Sequence, residues 1–224
     1  MKYEWSILQE TSHWLALNKP SSLTVEPVCD YPIVQDQVIR YLREHTRRQN
    51  SYLGIVHRLD RPVSGVLLLA KKKSSLRALN EQFAQRQVNK TYWAVCAAPP
   101  PQEQATIEHH LIKEQKNKRS VVFAVAKKGS TPVSLSYRLM ARDGGRYLLE
   151  VHPHSGKFHQ IRVQLAALGC PIVGDQKYGS TVPDDTDCIA LHARVLQFFD
   201  PKEEEQQLEC IAPVPAREVW SIST

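Results

Sequence analysis

No run of the chain is apolar for the roughly 18 positions that a membrane-spanning helix needs. The opening Met1-Lys2-Tyr3-Glu4-Trp5-Ser6 lacks the apolar segment of a signal peptide. A soluble, cytoplasmic protein with no membrane partner is therefore expected. CxxC pairs are also missing. Cys29, Cys96, Cys170, Cys188 and Cys210 are scattered and odd in number, which argues against a zinc site and a disulfide framework and fits reduced thiols. There is no phosphate-cradling glycine loop, no dinucleotide fingerprint and no HExxH pattern, so nothing points to a bound cofactor or metal. No internal repeat or low-complexity linker divides the 224 residues, and they are read as a single domain over 1–224.

What is present is positive charge. Lys and Arg number 29 against 23 Asp and Glu, a net charge of +6 with a pI near 9.1. That favours an anionic partner, nucleic acid ahead of a membrane surface or an acidic protein. The densest patch is Lys113, Lys116, Lys118, Arg119, Lys127 and Lys128, opposed by Glu114. A basic hairpin arm lying along a phosphate backbone explains it, and a solvated loop is the plainer alternative.

Hydrophobic periodicity predicts a helix from Pro32 to about His45, with Val34, Val38, Tyr41 and Leu42 inward and Arg40, Arg43, Arg47 and Arg48 outward or just beyond. A second helix, capped by Ser74 or Ser75, runs to about Arg86. A third spans Phe158–Leu168 and is closed by Gly169. Strands are expected at Trp14–Leu17, Tyr52–Val56, Val66–Ala70, Thr91–Ala97, Gln104–Leu111, Ser120–Val125, Val133–Arg138 and Arg146–His152, the last two joined at Asp143-Gly144-Gly145. Acidic loops follow at Asp184, Asp185 and Asp187 and at Glu203–Glu205. Strands outnumber helices without regular alternation. The fold class read from this is α+β, with a mixed, mostly antiparallel central sheet and flanking helices.

Three places could carry chemistry. The first is His57-Arg58-Leu59-Asp60-Arg61-Pro62-Val63-Ser64-Gly65, which sets one carboxylate between two guanidinium groups, with Pro62 stiffening the backbone and Ser64-Gly65 read as a turn pair. Flanking arginines would hold Asp60 ionised, as a nucleophile or base. Alone, an Asp at such a turn is more often structural. The second is His152 to Arg162. His152, His154 and His159 could be read as a metal site, but Lys157 between them repels a cation and no carboxylate has ligand spacing. Ser155-Gly156-Lys157 at a helix start reads better as an anion-binding corner, with Arg162 reaching a buried acid. The third is Lys90-Thr91-Tyr92, where Lys90 and Tyr92 share a strand face. Tyr92 is either a core tyrosine or a platform for a base.

Together these residues resemble the RluA family of RNA pseudouridine synthases, from near Leu15 to about Pro215. The motifs that carry the resemblance are Asn18-Lys19-Pro20, His57-Arg58-Leu59-Asp60 with Ser64-Gly65, Lys90-Thr91-Tyr92, and Gly156 with His159-Gln160-Ile161-Arg162-Val163. They continue with Pro171-Ile172-Val173-Gly174-Asp175, Tyr178-Gly179 and Leu191-His192-Ala193. The resemblance implies a pseudouridine synthase fold and conversion of specific uridines to pseudouridine in large-subunit ribosomal RNA or transfer RNA, by a monomer without cofactor. It implies Asp60, Tyr92 and Arg162 as the catalytic set, with Asp60 acting on the ribose as nucleophile or as base for an elimination. Around them, His57, Arg58, Arg61, Lys90, Lys157 and His159 would meet RNA. Because it begins so near the N-terminus, a minimal catalytic domain without a separate N-terminal S4-type domain is expected. The family usually has Thr at Val63, Thr-Gly-Arg-Thr-His at Ser155-Gly156-Lys157-Phe158-His159, His at Gln164, and Gly within Ser21-Ser22. These departures are expected to shape the RNA-binding surface. The competing readings are a relative that binds RNA without catalysis and a metal-dependent hydrolase built on the three histidines.

Overall fold

A computed structural model describes residues 3–27, 31–45, 52–183, 188–203 and 205–222. Cys29, Arg47, Arg48, Asp184, Asp185, Asp187 and Glu204 lie outside the described residues. The chain forms two compact units, one of 1–90 with 193–214 and one of 91–192 with 215–224.

In the first unit β1 (Ser6–Glu10) pairs with β2 (Trp14–Lys19), and β2 pairs with β4 (Ser64–Ala70), both antiparallel. The two-residue β3 (Gly54–Ile55) also runs antiparallel to β4. β4 borders β10 (Leu191–Phe199), which pairs antiparallel with β11 (Gln207–Ile211). Every residue of β4 is buried, which is why its sequence Ser-Gly-Val-Leu-Leu-Leu-Ala shows no polar alternation. Trp14, Val66, Leu68, Leu79, Leu196 and Phe198 form the core, with the Trp14 and Phe198 rings edge to face.

Ser64 and Gly65 are not a turn pair. They begin β4, and a Cβ on Gly65 would run into the backbone of Ala193, so only glycine lets the strands approach there. Helix α1 (Val34–His45) buries Val34, Val38 and Leu42. Helix α2 (Lys73–Ala84) starts after Lys72, with no side-chain cap. Ser74 and Ser75 lie inside it, and Ser75 is buried, its hydroxyl 3.5 Å from His13 Nδ1.

The second unit is an antiparallel sheet ordered β5 (Asn89–Cys96), β9 (Arg146–Pro153), β8 (Thr131–Asp143), β6 (Gln104–Glu114) and β7 (Arg119–Phe123). β6 runs three residues past the expected Leu111, so Lys113 sits on a strand and the hairpin turn is only Gln115–Lys118. Helix α3 (Gln160–Ala167) packs its Val163 with Leu111 and Val133. Gly169 closes it in the left-handed region at φ 86°. The α+β architecture with mostly antiparallel pairing is as read from the sequence.

Candidate active site

Asp60 stands half-buried on the loop between β3 and β4. The loop is held by backbone. The Val63 N–H donates to the Asp60 carbonyl at 3.0 Å, and the next carbonyl, that of Arg61, accepts from the Ser22 N–H at 2.9 Å and from Lys19 Nζ at 3.2 Å. Lys19 is fully buried, and its ammonium also donates to the carbonyls of Pro20 (2.8 Å) and Leu23 (3.0 Å). A buried lysine without partners is costly. Here three carbonyls satisfy it, and one of them belongs to the residue after the acid.

The arginine clamp on Asp60 is corrected. Arg58 bridges to Glu26 at 2.8 Å, with both side chains well exposed, and the Arg61 guanidinium lies over the Tyr31 ring, 4.5 Å from its centroid. Long side chains adjacent in sequence to a carboxylate on a turn are free to aim elsewhere, and these two do. His57 Nε2 accepts the Leu68 N–H at 3.0 Å, and its ring stacks on Phe83. Burial, helped by the Lys90 charge, lowers its pKa to about 3, so the imidazole is neutral and tethers the loop to β4. Burial also lowers the Lys90 pKa.

In the second unit Tyr92 lies half-buried on β5 opposite Val151. Arg162, in the first turn of α3, is 5% exposed, and Asp175, at the turn after Val173, is 1% exposed. They form a two-pronged ion pair, Nε to Oδ2 at 2.7 Å and Nη2 to Oδ1 at 2.9 Å. Asp175 was legible as part of a motif but carried no assigned role. The Tyr178 ring lies over the same guanidinium at 5.2 Å.

The Ser155–Lys157 corner is not an open anion site. Gln160 Oε1 accepts from the Ser155 hydroxyl at 2.8 Å and from the Lys157 N–H at 3.1 Å. Lys157 itself is exposed. His159 precedes the helix at φ 56°, its Nδ1 2.9 Å from the Tyr178 hydroxyl and its ring stacked on Phe158. Burial first, then the Arg162 and Lys177 charges, lower its pKa to about 3. The three histidines go to separate partners: His152 to Thr91 and Glu150, His154 to Ser134 and Ser136, His159 to Tyr178.

Two of the family departures are core positions and not RNA-facing surface. Val63 is 3% exposed and Gln164 fully buried. Gln164 Nε2 lies 3.2 Å from His109 Nδ1, while its Oε1 has no hydrogen-bond partner among the described residues.

A family model for RNA pseudouridylate synthase matches residues 13–167. "Ribosomal large subunit pseudouridine synthase C" of Buchnera aphidicola (subspecies Baizongia pistaciae) is 34% identical over 209 residues, 90% of this chain and 65% of that protein. An RNA pseudouridine synthase of Zymomonas mobilis, described as uncharacterized, is 35% identical over 202 residues, 90% of each chain. The chain thus spans about two thirds of the length of several relatives it matches. In fold it is similar to the solved structure of human RNA Pseudouridylate Synthase Domain Containing 4, with a TM-score of 0.79 at 23% identity, over 94% of this chain and 89% of that one. With the motifs in order and the family match running through Asp60, Tyr92 and Arg162 alike, the chain belongs to the RNA pseudouridylate synthase family.

Proposed function

We propose that this protein isomerises uridine to pseudouridine in RNA, with Asp60 as the catalytic carboxylate. The observation that carries the reading is the family match over 13–167, which runs through both compact units and supports treating 1–224 as one catalytic domain. Asp60 falls within it on a loop pinned by Lys19 and Ser22, a rigid mount for a reacting group. In the reaction the C1′–N1 bond breaks, the uracil turns, a C1′–C5 bond forms, and the hydrogen on C5 leaves as N1 gains a proton. Asp60 acts at the ribose. Arg162 supplies positive charge to the reaction, and Tyr92 stacks on the base and assists removal of the C5 proton. Arg58, exposed at the loop, enters the gap left when the uridine is extruded from its helix. Arg61, Lys90 and Lys157 supply charge toward the RNA backbone, while His57 and His159 hold their segments in place.

Relatives named for the large ribosomal subunit favour ribosomal RNA over transfer RNA as the substrate. The protein acts as a monomer in the cytoplasm and needs no cofactor. Among the described residues no helix is long and apolar enough to cross a membrane.

The test is tritium release from RNA carrying 5-tritiated uridine. Asp60→Asn and Asp60→Ala are expected to release none above background while still binding RNA. Release near the wild-type rate by either folded variant sinks the assignment. A wild-type protein that binds RNA and releases nothing favours the non-catalytic reading.

A further inference from the structure

Asp175 and Tyr178 belong to one tight turn, the Tyr178 N–H donating to the Asp175 carbonyl at 3.0 Å. Both side chains close on Arg162. The Asp175 carboxylate takes the Nε and Nη2 edge, and the Tyr178 ring covers the face. With edge and face both held, the guanidinium has one orientation. The tyrosine is itself anchored. Its hydroxyl oxygen accepts the Ser120 N–H at 2.7 Å and lies 2.9 Å from His159 Nδ1. Ser120 opens the edge of the basic β6–β7 hairpin, and its own hydroxyl donates to the Phe158 carbonyl at 2.6 Å.

Stability alone does not explain this arrangement. A buried ion pair is often replaceable by apolar side chains without loss, because desolvation cancels much of the attraction. What it does supply is a charge fixed in place before any substrate arrives, and such preorganisation is where electrostatic catalysis gains most. We propose that Asp175 and Tyr178 are positioning residues for Arg162, and that Tyr178 also ties Arg162 to the β6–β7 hairpin. The inference rests on the proposed function for what Arg162 does, but the grip itself can be tested without it.

The experiment compares Asp175→Asn, Tyr178→Leu, Arg162→Lys and the double variant Asp175→Asn/Arg162→Lys by single-turnover tritium release and RNA affinity. Asp175→Asn is expected to slow turnover about 100-fold, the scale of a misplaced reacting group, with RNA affinity held. Tyr178→Leu is expected to slow it about tenfold on the same ground. Because Asp175 acts through Arg162, the double variant should be no slower than Arg162→Lys alone. Losses that multiply, or wild-type rates in Asp175→Asn and Tyr178→Leu, overturn the proposal. A separate readout is exchange of the Arg162 Nε–H with solvent by NMR. It should be protected in wild type and in Asp60→Asn, and unprotected in Asp175→Asn or, should that variant not fold, faster in Tyr178→Leu. Equal exchange in all of them overturns the grip. If wild type releases no tritium, the functional reading fails and the exchange measurement still decides the inference.

Discussion

Ser22 is one of the non-glycine residues held at positive φ. Its φ of 77° lies in the left-handed region, which costs a residue with a Cβ roughly 1–2 kcal/mol. The conformation points its N–H at the Arg61 carbonyl, next to Asp60. The glycine usual in the family at this motif meets that backbone requirement without strain. Ser22→Gly should therefore raise the free energy of unfolding, by about 0.5–1 kcal/mol once the extra freedom of glycine in the unfolded chain is set against the relieved strain. Urea denaturation measures it, and a less stable variant would show that the serine is not strained. At this scale the sequence was partly legible. The motifs named Lys19, Asp60 and Arg162, but not what each side chain would touch. Arg58 reaches Glu26, 32 positions away, and Arg162 reaches Asp175, 13 positions away. Neither distance leaves a periodic signal, so the contacts these arginines make are not legible in the sequence.

The β6–β7 hairpin shows what pattern reading recovers at the level of an element. Its strands and its excess of lysine were expected. Its true turn was not, because charged residues at the end of a strand look like loop. Placing Lys113 on β6 gives it a fixed neighbour: its ammonium lies 4.8 Å from the Phe158 ring centroid, and Phe158 stacks on His159. Phe158 is one of the positions where the chain departs from the family, so this held cation belongs to this member. A lysine that meets an RNA phosphate contributes about one unit to the salt slope of binding. Lys113→Ala should reduce the slope of log affinity against log salt by about that much. Phe158→Ala keeps the charge but frees it, so affinity should fall with the slope unchanged. Titrations across about 50–200 mM salt read both effects, and a slope that Lys113→Ala leaves intact would remove Lys113 from the RNA contacts. The helix starts were misread for a different reason. Ser74 and Ser75 have capping chemistry, but burial of Ser75 against His13 places them inside α2.

For the whole molecule the class of fold was legible in the sequence. Apolar runs and turn residues are local, and they show α+β with mostly antiparallel pairing. Two compact units arise because 193–214 folds with the N-terminal ninety residues and 215–224 with the middle segment, a pairing of distant segments that no local pattern encodes. The substrate is a property at this same scale. A positive surface alone binds any RNA, since phosphate contacts carry no sequence information. Selection of one uridine has to come from the shape of the RNA presented and from the cost of extruding that base. The substrate proposed above, large-subunit ribosomal RNA, is tested at this scale. Pseudouridine mapping of total RNA from a strain lacking this protein should therefore lose signal at one or a few uridines of large-subunit ribosomal RNA and leave transfer RNA unchanged. Wild-type protein supplied in trans should restore the signal and Asp60→Asn should not. Loss confined to transfer RNA would overturn the substrate assignment while leaving the reaction intact, and restoration by Asp60→Asn would overturn the reaction.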